Sequence, residues 1–185
     1  MNGGDPTPET RRRNKRTLWI LLAIALALAF LPLAVWLGFF GAGNEPLRVG
    51  FLPFRSPPGD PGLQQAATGL MEATYDRFHE QDDSRFFLIG PSDTRGFQGS
   101  SAPPDSLGMR LGADVVLAGA VRSTGPGKTK VSAAVIRVED GRALWSGELE
   151  VPDVGAQNTR SYLSEWIWDR ARRTLQTVRP PRSRS

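Results

Sequence analysis

The chain has no cysteine, so disulfides, thiolate metal sites and lipid attachment through an N-terminal cysteine are all excluded. It has one histidine, His79, and no activated-serine motif accompanies it, which removes most routes to a Ser–His–Asp arrangement. It also lacks a folded region of one charge sign, although the formal net charge is +4. Residues 1–16 carry +3 and residues 45–178 carry −2, while Arg179, Arg182 and Arg184 add +3 at the end. A nearly neutral folded part has no basic face for phosphate contacts, so no nucleic-acid partner is expected.

What the chain does have is an uncharged run from Thr17 to Gly43. This exceeds the roughly 20 apolar residues needed to cross the hydrocarbon core, and it predicts a transmembrane helix. Trp19 and Trp36 lie near its two ends, where indoles reach the headgroups, and Pro32 is tolerated in such a span. A buried core helix rarely runs this long without a polar face. Gly41 and Gly43 are spaced as a signal-cleavage site would want, but the apolar region is longer than the roughly 7–15 residues of a signal h-region, which favours an uncleaved anchor. Arg11, Arg12, Arg13, Lys15 and Arg16 stand just before the run. By the positive-inside rule they place the N-terminus in the cytoplasm and everything after Gly43 across the membrane.

Residues 44–178 form one domain of common size, between a basic cytoplasmic segment (1–16), the span (17–43) and a basic, irregular tail (179–185). Leu47 to Phe54 reads as a buried strand stopped by proline. Asp60-Pro61 opens a helix with Leu63, Ala66, Ala67, Leu70, Met71, Thr74 and Phe78 at helical spacing, ending near His79. His79, Glu80, Asp82 and Asp83 resemble a metal or acid–base cluster. Acids are unfavourable at a helix C-terminus, so they read as a solvated loop instead. Arg85 to Ile89 is a second strand, Ser92 to Pro104 a long surface loop, and Asp105 the cap of a short helix ended by Gly112. Ala113 to Arg122 is a central strand. Gly125 to Thr129 superficially suggests a phosphate-binding loop, but the required first glycine is Arg122 and no helix follows, so it reads as a hairpin turn.

Lys130 to Val138 and Ala143 to Val151 are the last two strands, joined at Asp140-Gly141. In the final strand Trp145, Leu149 and Val151 share one face, and Ser146, Glu148 and Glu150 share the other. A closing helix from about Thr159 or Ser161 carries a stripe including Leu163, Ile167, Ala171 and Leu175. Trp168 lies off the centre of that stripe. Its ring either covers the edge of the core with Arg172 beside it or contacts a partner.

Several stretches together resemble the TolB N-terminal-like domain, shared with the CsgG, FlgO and LpoB proteins. They are Phe51-Leu52-Pro53-Phe54, Gly59-Asp60-Pro61, Gly69-Leu70-Met71-Glu72, Leu111 to Arg122 through Gly119, and Val135 to Trp145 through Asp140-Gly141. The resemblance covers roughly Arg48 to Val151. It implies an α/β (α+β) domain with a mixed sheet of about five strands and two main helices, working in the bacterial envelope by binding proteins rather than by catalysis. Gly119 then serves close packing within a central strand, and Trp145 fills the core. No propeller, repeat array or lipidated cysteine is present, so neither the specific TolB role nor an outer-membrane location carries over.

The expectation is an inner-membrane, single-pass, non-enzymatic protein presenting a periplasmic domain. It acts as scaffold or regulator of an envelope assembly in secretion, motility or cell-wall synthesis. Its partner is a membrane-envelope protein or a second copy of itself, and no cofactor is needed. A ligand-sensing module, with a small molecule near the Ser92 to Pro104 loop, is the second expectation. A hydrolytic enzyme using His79, Asp82 and Asp83 is a distant third.

Overall fold

A computed structural model describes residues 45–81 and 83–178. The expected span with Trp19 and Trp36, the basic residues before it and the tail 179–185 lie outside the described residues, as does Asp82. Among the described residues no helix is long and apolar enough to cross a membrane.

In chain order the elements are strand β1 (Leu47–Phe51), helix α1 (Pro61–Glu80), strand β2 (Phe86–Ile89), helix α2 (Pro91–Thr94) with a 3-10 turn over Arg95–Phe97, helix α3 (Pro104–Leu111), strands β3 (Val115–Gly125), β4 (Lys128–Arg137) and β5 (Ala143–Val151), and helix α4 (Gln157–Leu175). The five strands form one sheet in the order β2-β1-β3-β4-β5. β1 pairs in parallel with β2 and β3, while β3, β4 and β5 form an antiparallel meander. This is the mixed five-stranded sheet that the resemblance implies, with Val115, Val116, Leu117 and Val121 buried in its central strand.

Proline at position 53 ends the regular ladder of β1 because it has no N–H to give. The chain still stays against β3, since Leu52 N donates to Leu117 O (2.9 Å) and Arg55 N to Gly119 O (2.8 Å), while Val121 N donates to Arg55 O (2.7 Å). At the start of α1, Asp60 accepts a hydrogen bond from Leu63 N (2.9 Å) and Pro61 occupies the first turn, as the sequence predicts.

The two faces of the sheet are covered separately. Helices α1 and α4 cover one face and bury Val49, Phe51, Leu70, Val115, Leu117 and Leu163 in the larger core. Helix α3 covers part of the other through Leu107, against Ile89, Val116 and Val138. Gly108 lets α3 sit low, since a Cβ there would come within 2.9 Å of Val116 Cγ1 and closer still to Val138 Cγ2.

Several boundaries differ from the sequence reading. The Ser92 to Pro104 stretch is not one irregular loop, because Pro91 starts a short helix that runs on into the 3-10 turn. Helix α3 begins at Pro104 with Pro103 as its cap, and Asp105 lies in its first turn, where the carboxylate meets the positive end of the helix without capping it. Helix α4 begins at Gln157, and no side chain caps it. Helix α1 includes both His79 and Glu80.

Of two aromatic positions, Trp168 takes the first of its expected places, at the core with Arg172 beside it, and Trp145 departs from its expected one. Trp168 is only 5% exposed. Its ring meets Phe78 edge-on at 4.5 Å and Arg172 lies 5.3 Å from its centroid, so it is a core residue with no face for a partner. Trp145, in contrast, is half-buried on edge strand β5 and does not fill the core. It packs against Trp166 at 5.6 Å, and both rings lie over Gly147, where a Cβ would fall 2.9 Å from each.

Candidate functional site

The connections leaving β1 and β2 diverge, because α1 lies on one face of the sheet and α3 on the other. In open α/β sheets this divergence opens a crevice beyond the carboxyl ends of the strands. Here it is a cleft of about 530 Å³ between residues 52–59 and residues 97–104. Leu52, Phe54, Leu107, Ala118 and Gly119 form its apolar floor. Pro53, Pro57, Pro58 and Pro104 stiffen the walls, with Phe97 facing in, and Gln64, Gln98 and Ser100 add polar atoms. Among the described residues lining the cleft, Arg55 carries the only charge. Its Nη2 donates to Ala102 O (2.6 Å), joining the two walls.

The residues of the family resemblance separate into two groups. Leu52, Pro53, Phe54 and Gly119 meet at this cleft. Gly119 is required there, because a Cβ would lie 2.8 Å from Ser132 O and 2.9 Å from two ring carbons of Phe54. Asp140, Gly141 and Trp145 do not line it. Asp140 accepts from Arg142 N (3.1 Å) and pairs with Arg137 (3.3 Å), and Gly141 has φ +67°, so this is a structural turn between β4 and β5. Sequence reading did not single out Arg55, Gln64, Phe97 or Gln98. A usable signal was present in Phe97, a large apolar residue within a Gly-, Ser- and Pro-rich stretch.

Next to this cleft, sharing Gln64 and Gln98, lies a more polar depression of about 430 Å³ beside Arg160. The Arg160 guanidinium lies over Gly69, where a Cβ would be 2.7 Å from Nη1, and Nη2 donates to Gly155 O (2.9 Å).

Among the described residues of the candidate acid–base cluster, which the sequence reads as a solvated loop, His79, Glu80 and Asp83 each have a separate partner. His79 stacks on Tyr75 (6.0 Å, 9° between planes) and Glu80 pairs with Arg77 (3.2 Å). Asp83 receives Arg85 Nε (2.9 Å), and this side-chain hydrogen bond holds its carboxyl below the usual carboxylate range. Among the described residues no three potential ligands converge on a metal position. A folded-state carboxyl with a lowered pKa stabilises the protein above its unfolded value, near pH 4, and loses that contribution as pH falls through the lower folded value. The stability gap between wild type and Asp83→Asn in urea unfolding is therefore expected to be constant above about pH 5 and to shrink toward pH 2. A gap that widens with acidification would reverse this assignment.

The fold and cleft thus define a non-repeating α/β domain with a mixed sheet and a crevice at the point where its connections diverge. No family model matches the chain, and no curated protein does. Among solved structures it is similar to a lipoprotein of Neisseria meningitidis, with 16% identity and TM-score 0.46 over 72% of this chain and 100% of that one. It is also similar to TolB from Acinetobacter baumannii, with 17% identity and TM-score 0.43 over 73% of this chain and 29% of that one. A third neighbour is the C-terminal domain of LpoB from Salmonella enterica, with 15% identity and TM-score 0.37 over 61% of this chain and 87% of that one. TolB and LpoB are both among the proteins named by the sequence resemblance.

Proposed function

We propose that this chain presents a non-enzymatic binding domain in the bacterial envelope, where it serves as scaffold or regulator of an assembly through a protein partner. The observation that carries the reading is the composition of the cleft. Among the described residues its lining has one guanidinium, apolar walls and amide side chains, and no carboxylate, imidazole or other base that could activate a nucleophile. Such a lining suits recognition of a partner or ligand and supports the binding reading. The uncharged run from Thr17 to Gly43 with the cations before it supports an inner-membrane anchor, a cytoplasmic N-terminus and a periplasmic domain.

The test is crosslinking in intact cells, purification through a tag after Ser185, and a periplasm-dependent reporter fused at the same point. The expected result is an active reporter and reproducible capture of one envelope protein, lost when residues 45–178 are deleted. A reporter active only in the cytoplasm would overturn the topology. Capture of the chain by itself alone would replace the hetero-partner with self-association.

The preformed cleft specifically favours a second reading, that of a small-molecule sensing domain. A ligand that binds only the folded state stabilises it by RT ln(1 + L/Kd), with L the free ligand concentration, so the melting temperature rises with ligand concentration. A panel of periplasmic metabolites is expected to contain at least one compound that does so, and a flat panel would remove this reading.

A further inference from the structure

We infer that the cleft takes a ligand with a carboxylate on an apolar body, and that Arg55 is the residue that selects the carboxylate. The inference rests on the ligand-binding reading above and specifies its chemistry.

Charge supplies the first part of the argument. Arg55 is exposed to the cleft mouth, and among the described residues no carboxylate pairs with it. A guanidinium has five N–H donors in a planar fork, and the one bond to Ala102 O leaves most of them for an incoming acceptor. A carboxylate matches that fork in two parallel charge-assisted bonds. A phosphate dianion would call for further cations, and among the described residues the lining adds none to Arg55.

Shape and rigidity supply the second part. The volume of about 530 Å³ lies within the range of about 300–1,000 Å³ found for small-ligand sites. The floor of Leu52, Phe54, Leu107 and Ala118, with Phe97 at the side, offers the apolar surface that such sites use for most of their contact. The anchor is also fixed in place. Both main-chain groups of Arg55 are bonded to β3, through Gly119 O and Val121 N, so only its side chain is free to adjust. A site with stiff proline walls and a pinned anchor loses little entropy on binding.

The test uses the full chain in lipid nanodiscs and isothermal titration calorimetry with four probes. These are 3-phenylpropionate, its primary amide, N-acetyl-leucyl-leucine with a free C-terminus, and the same dipeptide amidated. Each acid is expected to bind about 10- to 100-fold more tightly than its amide, the factor ordinarily carried by hydrogen bonds to a charged group. Arg55→Ala is expected to abolish that discrimination and Arg55→Lys to restore part of it. The melting temperature should barely change in either variant, because the side chain is exposed. Phe97→Ala should weaken acid and amide alike. The ratio of affinities between the free acid and the dipeptide acid then shows whether a small metabolite or the end of a protein chain is the better source of the carboxylate.

Equal binding of acid and amide, or discrimination that survives Arg55→Ala, overturns the inference. If no acid binds while an uncharged metabolite raises the melting temperature, the ligand-binding reading stands and the carboxylate assignment falls. If neither the acids nor the panel bind, both fall together.

Discussion

Phe51→Ala is expected to cost about 3–5 kcal/mol of unfolding free energy, the loss typical of removing a buried phenylalanine ring. Phe51 is fully buried at the carboxyl end of β1. Its ring meets Tyr75 at 5.3 Å and Phe78 at 5.1 Å, both edge-on, and Phe78 in turn meets Trp168. The truncation therefore opens a cavity where the sheet joins both long helices, and edge-to-face aromatic contacts worth about 0.5–1.5 kcal/mol each beyond area burial are lost with it. For a folded unit of this size the melting temperature should fall by roughly 10–20 °C. Phe51→Leu keeps most of the volume and should lose much less. Urea unfolding of the three proteins checks the order. Near-equal stability of wild type and Phe51→Ala would mean that this aromatic cluster does not organise the core.

Gly119→Ala is the second large effect, and its sign runs against strand propensity. In the interior of a strand alanine ordinarily gains over glycine, by roughly 0.5–1 kcal/mol. At this position the added methyl would lie 2.8 Å from Ser132 O and 2.9 Å from the Phe54 ring. The oxygen belongs to the main chain of β4, so relief requires the sheet to shift and not merely a side chain to turn. A loss of about 2–3 kcal/mol is expected, in the upper part of the overpacking range. Adding Phe54→Leu should recover the fraction due to the ring and leave the fraction due to the backbone. If Gly119→Ala melted at or above the wild-type temperature, β4 would have to lie farther from β3 than its pairing indicates.

The sequence was most informative where periodicity and breakers coincide. The Asp60-Pro61 start followed by Ala66, Ala67, Leu70 and Met71 leaves little freedom in placing α1, and the Gly127 and Gly141 turns fix the meander. Legibility was lost where tertiary contacts decide. Trp168 sits off the centre of the helical stripe, yet Phe78 of α1 packs against it and buries it. Trp145 alternates correctly but lies on an edge strand, where burial depends on Trp166 from α4. Helix α4 starts without a capping side chain, so no local signal marked Gln157. The candidate site was half legible. Leu52, Pro53, Phe54 and Gly119 belong to the resemblance, but Arg55 and Gln98 come to line the same cleft only because the connections after β1 and β2 leave on opposite faces of the sheet.

The division of the sheet into a parallel part and an antiparallel meander also has a consequence for how the chain reaches its native state. β3, β4 and β5 are joined by two short turns, so their pairing closes small loops at low entropic cost. β1 can join β3 only across the whole of α1, β2 and α3, a separation of more than sixty residues between Val49 and Val115. Contacts of short sequence separation form early in small domains. Substitutions within the meander, such as Val131→Ala, should therefore slow folding, whereas Val49→Ala should act mainly by speeding unfolding. The crevice beside β1 would then be among the last features to form and the first to be lost.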